Sequence, residues 1–482
     1  MLRRTKIVAT LGPSTDTLES LEAIIEAGVN VVRLNFSHGE SQEHVDRAQR
    51  VKQAAKNKGR FVAILADLQG PKIRIAKFLD GKINLKKGAH FTLDSQLGKN
   101  EGHQEAVGID HEAVIQDTYV NDTLLLDDGR IELLVKDVTD TRLYCVVIVG
   151  GTLSNNKGIN KKGGGLSAKA LTLKDKNDIK TAAAIEADYV AVSFPRTADD
   201  MAEARELLNK ANSKAALIAK IERAELIEDS ESLDEIIRVS NGVMVARGDL
   251  GVEIGDAELV PVQKHIIQRA RALNRVVITA TQMMESMISS PIPTRAEVSD
   301  VANAVIDGSD AVMLSAETAV GDYPVEVIEA IDRICKGAER HSLTQVSQHR
   351  IHESFTEIDE SIALSAMYAA NHLNGVKAII CMTETGATPL LMSRIRSKLP
   401  IYAFSSSIQT QRKMALYRGV QTISFDASEI ANNVVNRFSV AELLTKKLVQ
   451  EGDLVILTKG DYINAQGGTN TLKIIKVGGS IN

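Results

Sequence analysis

Short apolar runs rich in β-branched residues recur along the first two thirds of the chain, and most of them precede a segment with helical periodicity. Repeated strand and helix units are typical of parallel strands closed by an outer ring of helices. The pattern therefore predicts an α/β fold whose core is a (β/α)8 barrel, the TIM-barrel architecture. The eight runs begin at Thr5, Val29, Phe61, Tyr189, Ala215, Gly242, Val276 and Ala311.

The third and fourth runs are separated by about 120 residues, far more than a strand-to-helix connection needs. Short stretches of alternating polar and apolar residues fill this interval, with Gly, Asn and Asp turns between them. They predict an inserted small antiparallel β-barrel. Glycines at both junctions, Gly70 and 163–165, would act as hinges for a lid over the barrel rim. The alternative is an ordinary exposed loop.

Beyond about residue 345 the pattern restarts, which predicts a separate C-terminal α/β domain. The expected limits are 1–70 with 169–344 for the barrel, 71–168 for the lid and 345–482 for the last domain. Two loops of that domain, ETGATP and GDYINAQGGTN, contain the glycines that let backbone N–H groups hold a phosphate. Most loops of this composition are simple turns.

The composition excludes several classes of protein. A hydrophobic fraction of 44%, a charged fraction of 25% and a net charge of -5 describe a globular protein without the basic surface that nucleic acid requires. No apolar run approaches the length of about 18 residues that a membrane span needs. Cys145, Cys335 and Cys381 lack metal-ligand spacing and fit a reduced, cytoplasmic compartment.

Polar residues stand where the apolar runs end. In barrels of this kind the carboxyl ends of the strands meet at one rim, where chemistry is built from several strands. Lys220 and Glu222 lie two residues apart in IAKIER, so both point to the same face of a strand. A salt bridge that merely plugs the barrel would explain this pair alone equally well, but the convergence favours a functional site. The polar strand-end residues are Arg33, Asn35, Asp67, Lys220, Glu222, Asp249, Thr281, Ser315 and Glu317.

Two of these carboxylates, Glu222 and Asp249, offer the hard oxygen ligands that Mg2+ takes together with waters and substrate oxygens. Arg33 adds a planar cation suited to phosphate or carboxylate. With Lys220, these groups are what phosphoryl transfer requires, because it depends on positioning and charge neutralisation. Lys220 could also be a Schiff-base nucleophile, but it would then need to be neutral. The negative charges of the nearby acids favour its ammonium form unless a bound metal neutralises those charges.

Longer motifs run through the chain: RLNFSHG, DLQGPKIR, NNKGIN, IAKIER, MVARGDLGVEIG, ATQMMESM, PTRAEVSDVANAV and DAVMLSAETAVGDYP. Together they resemble the pyruvate kinase family along essentially the whole chain. The resemblance implies a homotetrameric glycolytic phosphotransferase that converts phosphoenolpyruvate and ADP to pyruvate and ATP. It also implies that Mg2+ is the cofactor and that Mn2+ can substitute for it.

The resemblance implies roles for the rim residues. Lys220 would stabilise the phosphoryl group in transit and Arg33 would contact it, while Glu222 and Asp249 would hold Mg2+. The substrate carboxylate would be bound by the backbone of Gly248 and Asp249, together with a threonine that relays a proton from water. That threonine would be Thr281, with Ser315 and Glu317 behind it. The nucleotide-side residues would be Asn35, His38, Arg74 and Lys157.

The chain departs from the family pattern in DLQGPKIR. Many members have a threonine and a glutamate where this chain has Leu68 and Lys72, and in them the acid helps to hold K+. An ammonium at Lys72 would supply the charge of K+ and repel the ion. We therefore expect that Mg2+ is required and K+ is not. A residual monovalent-cation site would consist of Asn35, Ser37, Asp67 and Leu68.

The C-terminal domain departs as well. Members activated by fructose 1,6-bisphosphate have a lysine and an arginine in the loop that here contains Glu384 and Ala387, and also a tryptophan-bearing loop, whereas this chain has no tryptophan. Each lost charged hydrogen bond would cost about 1.5 to 3 kcal/mol of binding. We expect an activator with one phosphate, AMP or a sugar monophosphate, and the alternative is no effector. Its site would comprise Thr383, Thr385, Gly386 and Thr388.

Two other functions stay open on the residues alone. One is a barrel lyase or aldolase that acts on an oxo-acid, with Lys220 as Schiff base or with enolate chemistry on Mg2+. The other is a sensor that binds a metabolite without catalysis. Against the sensor, every polar group that phosphoryl transfer needs is present.

Overall fold

The computed structural model describes residues 2–111, 113–345, 350–431, 434–461 and 468–479. Eight parallel strands close into a barrel, and each pairs with the strands before and after it in chain order, while the first also pairs with the eighth. The predicted (β/α)8 barrel is confirmed. Its strands are Lys6–Thr10, Val31–Asn35, Ala63–Asp67, Tyr189–Val192, Ala216–Ile221, Gly242–Ala246, Val276–Ala280 and Ala311–Leu314.

Alternate side chains of each barrel strand join two different cores. Ile7 and Ala9 pack in the layer between barrel and helices, whereas Val8 belongs to the cluster that also contains Leu65 and Ile218 from other strands. The interior of the barrel is therefore filled with apolar side chains. Chemistry is left to the ends of the strands.

Helices surround the barrel. The α-helices are Leu18–Ala27, Ser41–Asn57, Leu173–Ala184, Ala198–Lys210, Glu225–Glu228, Ser230–Val239, Arg247–Ile254, Asp256–Ala272, Arg295–Asp307, Ala316–Ala319 and Pro324–Ala338. Short 3-10 turns occur at Pro13–Thr15, Glu285–Ile288 and Ser342–Thr344. Several helices begin with side-chain caps. Thr294, for example, accepts a hydrogen bond from Glu297 N while Glu297 bonds back to its backbone, which fixes where that helix starts.

The inserted segment forms a β domain with its own apolar core. Its strands make a six-stranded sheet and a two-stranded sheet, and all pairs are antiparallel except that of His90–Asp94 with Ala106–Gly108. In sheet order the six strands are Ile159–Lys161, Thr123–Leu126, Ile131–Val138, Arg142–Val149, His90–Asp94 and Ala106–Gly108. The other two are Lys82–Leu85 and Gly151–Ser154, and one helical turn spans Ala113–Gln116.

Glycine is required at both junctions of this domain with the barrel. Gly70 has a φ of +68°, and a Cβ there would lie 2.7 Å from the Cβ of Ser193. At the second junction, residues 163–165 all have positive φ, and a Cβ on Gly164 would lie 2.2 Å from Glu225 Oε2. Gly70 and Gly164 combine a left-handed backbone with close packing, which only glycine tolerates without strain.

The predicted C-terminal α/β domain is confirmed, and it contains a five-stranded sheet. In sheet order the strands are Val420–Ser424, Ile401–Ser405, Val376–Met382, Leu454–Gly460 and Thr469–Lys476, the last antiparallel. The helices are Ile358–His372, Ala387–Arg394, Ile408–Met414 and Val435–Thr445. Most of the predicted second glycine-containing loop, residues 462–467, lies outside the described residues.

The C-terminal domain covers the face of the barrel opposite to the rim. Arg394 forms a bidentate ion pair with Asp310, and both side chains are 1% exposed. Arg412 Nε lies 3.0 Å from Asp188 Oδ1. Both aspartates precede barrel strands, so the contact leaves the carboxyl-end rim accessible. In the parts of the chain that are described, no helix combines the length and apolarity that crossing a membrane would need.

Candidate active site

Lys220 projects from the end of the fifth barrel strand into a group of acids. Its Nζ lies 2.9 Å from Glu222 Oε1 and 3.5 Å from Asp67 Oδ1, and it donates a 2.8 Å hydrogen bond to Ser193 Oγ. The contact with Glu222 is the one that strand alternation predicts. These residues join the ends of the third, fourth and fifth strands.

Asp67 links this lysine to Arg33. Arg33 Nε lies 2.6 Å from Asp67 Oδ2, and Arg33 Nη1 donates to Thr10 Oγ1 at 3.2 Å. Asp67 is only 1% exposed, so its charge is compensated inside the protein by the two cations. One carboxylate therefore fixes the positions of Arg33 and Lys220 at the rim.

Burial and charge act in opposite directions on Lys220. Burial favours the neutral amine, but the charges of Asp67 and Glu222 outweigh it, so the pKa of Lys220 is raised. Burial likewise opposes the charge of Asp67, and Lys220 and Arg33 outweigh it, so the pKa of Asp67 is lowered. Lys220 is thus an ammonium at neutral pH. That state favours stabilisation of an anion and disfavours a Schiff-base nucleophile.

Glu222 has the features of a metal ligand. Its Oε2 accepts a 2.8 Å hydrogen bond from Phe194 N. Its Oε1 is buried beside Lys220 but accepts no hydrogen bond of good angular geometry from the described residues. Burial raises the pKa of Glu222, Lys220 opposes this, and the negative charge of Asp249 adds to it. A divalent cation would be coordinated by this oxygen and would remove the repulsion between the two carboxylates, so the residues fit Mg2+.

Asp249 lies in the first turn of the helix Arg247–Ile254, directly after the sixth strand. Lys72 Nζ lies 3.5 Å from Asp249 Oδ1. Among the described residues, no group of three or more His, Cys, Asp or Glu side chains converges on a common point. A metal held by Glu222 and Asp249 would therefore take its other ligands from water and substrate.

Thr281 follows the seventh strand with a φ of 68°, a rare conformation for a β-branched residue. The Arg247 guanidinium holds this backbone, donating to Thr281 O at 2.6 Å and to Ala280 O at 3.2 Å. Arg247 is itself paired with Asp300 at 2.7 Å. Thr281 Oγ1 accepts a 2.9 Å hydrogen bond from Gly248 N. The structure therefore brings the predicted pair Thr281 and Gly248 together.

Ser315 and Glu317 follow the eighth strand. Glu317 Oε2 accepts a 2.6 Å hydrogen bond from Ser315 N, and Oε1 accepts one of 3.1 Å from Met284 N. The carboxylate of Glu317 is thus engaged by two backbone amides and joins the loops after the seventh and eighth strands. Its contacts are those of a positioning residue.

The predicted nucleotide-side residues occupy two regions. Arg74 Nη1 donates to Asn156 O at 2.9 Å, and the neighbouring Lys157 Nζ lies 2.7 Å from Asp127 Oδ1, so both cations are held by groups of the inserted domain. His38 is exposed in the turn after the second strand. Among the described residues, its side chain makes no hydrogen bond or ion pair with the other two.

Three of the four predicted monovalent-cation residues have polar or charged partners in the structure. Asn35 Oδ1 accepts a 3.2 Å hydrogen bond from Ser37 N, and Asp67 faces two cations. Leu68 has only its carbonyl to offer, and that oxygen accepts a 2.7 Å hydrogen bond from Ser193 Oγ.

Three residues of the site were missing from the sequence prediction: Thr10, Ser193 and Arg247. Thr10 ends the first strand and Ser193 follows the fourth. The strand-end rule, applied to all eight runs, would have found both. The role of Arg247 could not be found in this way, because it depends on the backbone conformation of Thr281.

Comparisons with known proteins agree along the chain. The family model described as "Pyruvate kinase, barrel domain" matches residues 2–328, and "Pyruvate kinase, alpha/beta domain" matches residues 360–475. The chain belongs to the pyruvate kinase family. A pyruvate kinase of Buchnera aphidicola subsp. Baizongia pistaciae is 58% identical over 98% of this chain and 99% of that protein. Pyruvate kinase II of Salmonella typhimurium is 57% identical over 99% of each.

A crystal structure of a pyruvate kinase from Cryptosporidium parvum is similar over 98% of this chain and 96% of its own, with a TM-score of 0.90 and 33% identity. Pyruvate kinases transfer a phosphoryl group from phosphoenolpyruvate to ADP, giving pyruvate and ATP in glycolysis, and the family generally uses Mg2+. This chain is accordingly a phosphotransferase, and the lyase and sensor alternatives are set aside.

The predicted effector loop of this pyruvate kinase precedes the helix Ala387–Arg394. Gly386 N donates to Thr383 Oγ1 at 2.9 Å, and Ala387 N donates to Thr385 Oγ1 at 3.4 Å. Thr388 Oγ1 lies 2.8 Å from the hydroxyl of Thr469 on the last strand. The loop is thus compact and touches the end of the second predicted glycine-containing loop.

Glu253 anchors the second junction of the inserted domain. Its carbonyl accepts a 3.0 Å hydrogen bond from Gly163 N, and its carboxylate accepts from Ala224 N at 2.9 Å and from Asn160 Nδ2 at 3.4 Å. Burial raises the pKa of Glu253 to about 7, against the opposing effects of the Ala224 hydrogen bond and the charge of Arg223. The anchor therefore titrates near neutral pH.

We predict that Glu253→Gln changes the pH dependence of stability. Because the folded-state pKa is raised, wild-type Glu253 contributes stability that is present at pH below about 4.5 and is lost as pH rises through about 7. Relative to the variant, wild type should lose up to about 3 kcal/mol across this window. Urea midpoints of both proteins at several pH values measure the difference. The exposed control Glu206→Gln should follow wild type, and parallel profiles for Glu253→Gln would contradict the prediction.

Proposed function

We propose that Lys220 stabilises the phosphoryl group during its transfer from phosphoenolpyruvate to ADP. The observation that carries this proposal is the Lys220 ammonium, which lies at the rim of the closed barrel and is kept charged by Asp67 and Glu222. Preorganised cations stabilise the charge of a phosphoryl group without reorganisation at the moment of transfer. Arg33, held by the same Asp67, would contact the phosphoryl group from the other side.

Glu222 and Asp249 would hold Mg2+, which neutralises the negative charge that phosphoryl transfer places on the substrate oxygens. The substrate carboxylate would lie at the Gly248 and Asp249 backbone beside Thr281. The Thr281 hydroxyl now accepts from Gly248 N and donates to Ala280 O. A hydroxyl in this position can pass a proton from water to the enolate carbon, while it remains a weak acid itself.

The nucleotide would lie between the barrel and the inserted domain, with Asn35 and His38 on one side and Arg74 and Lys157 on the other. In support, Lys72 and the junction at Gly70 connect the inserted domain directly to the rim. The proposed domain limits are 1–70 with 169–344, 71–168, and 345–482. As the family resemblance implies, the chain would form a cytoplasmic homotetramer in which Mn2+ can replace Mg2+.

The test is Lys220→Met. With phosphoenolpyruvate, ADP and Mg2+, wild type should form pyruvate at a steady rate, and the variant should lose a factor of several hundred or more, because one electrostatic group in such a site is worth about 10²–10³ in kcat. Lys52→Met, on an outer helix, should retain wild-type activity. A Lys220→Met enzyme that binds Mg2+ and remains folded, yet turns over within tenfold of wild type, would contradict the proposal.

We further propose that Lys72 replaces K+ in this enzyme. Its ammonium lies 3.5 Å from Asp249 Oδ1. Asn35 and Asp67 already have backbone and cationic partners, and Leu68 carries no side-chain oxygen. A fixed positive charge beside the substrate would repel a second monovalent cation.

The corresponding prediction is that wild-type turnover changes less than twofold when K+ is added to a buffer with tetramethylammonium as the only other monovalent cation. Lys72→Glu should be strongly impaired in that buffer and should be partly rescued by K+, because the variant supplies an acid where the ammonium stood. Lys77→Glu, an exposed change in the same segment, should behave like wild type. A several-fold activation of wild type by K+ would refute the proposal.

We also propose an activator with a single phosphate, AMP or a sugar monophosphate, at Thr383, Thr385, Gly386 and Thr388. The compact loop at the start of the helix Ala387–Arg394 supports it, because hydroxyls and backbone N–H groups suit one phosphate. Glu384 in the same loop would disfavour a second phosphate by its charge.

Activity at sub-saturating phosphoenolpyruvate should therefore rise with AMP, ribose 5-phosphate or glucose 6-phosphate, and should respond weakly to fructose 1,6-bisphosphate. Thr388→Val should weaken the activation about tenfold in concentration, since one hydrogen bond to a charged group is worth about 1.5 kcal/mol. Thr445→Val, an exposed change in the same domain, should leave the activation unchanged. A response to the bisphosphate alone, or to none of these compounds, would contradict the proposal.

A further inference from the structure

A small cavity lies between the barrel and the C-terminal domain, on the face opposite to the active-site rim. Its volume is about 20 Å³, and Arg4, Arg396 and Arg418 line it. Among the described residues that line it, none is a carboxylate. Arg4 comes from the start of the chain and the other two from the C-terminal domain, so the cavity is positively charged on both sides.

Arg418, which lines this cavity, has an unused donor. The residue is 5% exposed. Its Nη1 donates to Ser309 O at 2.9 Å, to Val305 O at 3.1 Å and to Thr5 Oγ1 at 3.1 Å. Its Nη2 is buried and has no hydrogen-bond partner among the described residues. A buried charged donor of this kind carries a free-energy cost unless a bound group accepts a hydrogen bond from it.

The acids near these arginines are engaged by other groups, and Asp307, whose charge acts on Arg396, pairs with Lys264. Glu339 accepts hydrogen bonds from the backbone amides of Arg4 and Thr5 and lies 3.6 Å from Arg4 Nε. Asp310 forms its bidentate pair with Arg394. The guanidiniums of Arg418 and Arg396 are thus left with neutral acceptors.

The acceptors of Arg396 are backbone carbonyls, those of Leu343, Ile306 and Asp307. The excess positive charge extends to Arg271 behind the cavity. Its pKa is lowered to about 9 by burial first, and then by the charges of Arg394, Arg396 and Arg418. Mutual repulsion of buried arginines is the condition that a bound anion relieves.

We propose that this cavity binds one monovalent anion of halide size, such as chloride, which joins the barrel to the C-terminal domain. The volume of the cavity limits the size of the ligand, because a cavity needs about 10–15 Å³ to hold a single water-sized ligand. Phosphate, carboxylate metabolites and nucleotides are too large. A water molecule would fit the volume and accept from Arg418 Nη2, but it would leave the excess charge uncompensated.

The direct test is crystallographic. Crystals of the full chain grown without halide and then transferred to bromide should show an anomalous bromine peak between Arg4 and Arg418. Data from the same crystals in chloride give the matched density without the bromine signal. A cavity that holds only water, with no anomalous peak, would overturn the proposal.

A solution test uses anion identity at constant ionic strength. Wild type should melt about 1–3 °C higher in sodium chloride or bromide than in sodium methanesulfonate, whose anion is too large for the cavity. Arg396→Gln and Arg418→Gln should lose this halide-specific increment, whatever their own Tm. Arg205→Gln, a half-buried arginine on the outside of the barrel, should keep it. Equal Tm values for wild type in all three salts, or an increment retained by both cavity variants, would also overturn the proposal.

Discussion

The site depends on the compensation of one buried carboxylate. Asp67 is almost completely inaccessible at the end of the third barrel strand, and an isolated charge there would be unstable. Arg33 and Lys220, from the second and fifth strands, supply the compensation. Arg33 lies on the strand paired with that of Asp67, and Lys220 lies two strands away on the other side, so the pairing of these strands and the charge state of the site are coupled. The same contacts that make the burial of Asp67 tolerable keep Lys220 protonated and in place.

Buried charges are compensated differently on the two faces of the barrel. At the rim, the acids and cations are interleaved, and the carboxylates of Glu222 and Asp249 remain available to a divalent ion. On the opposite face, Asp310 and Asp188 pair with arginines of the C-terminal domain. Arginine suits this interface because its planar fork can satisfy a carboxylate and several carbonyls at once. The catalytic rim is thus left free of the domain contact.

Strand positions and strand ends could be predicted from the sequence because both depend on local patterns. Apolar runs of similar length mark the eight strands, and a period of two places Lys220 and Glu222 together. The unpredicted features depend on long-range geometry. The clamp of Arg247 on Thr281 requires knowledge of the backbone φ at Thr281, and the division of the inserted strands into two sheets depends on register. Ser193 is different, because it stands near the end of the apolar run YVAVSFP and the strand-end rule applied to every run would have included it.

A cation supplied by a side chain differs from a diffusible ion in one physical respect: its position is set by the backbone that carries it. Lys72 lies two residues after Gly70, at the first junction of the inserted domain, and its ammonium faces Asp249. Gly70 is packed against Ser193, the hydroxyl partner of Lys220. Any rotation of the inserted domain about this junction therefore changes the distance between Lys72 and Asp249 while Lys220 stays fixed in the barrel. The electrostatic potential at the rim would in this way depend on the position of the inserted domain. A freely bound ion would not create this dependence.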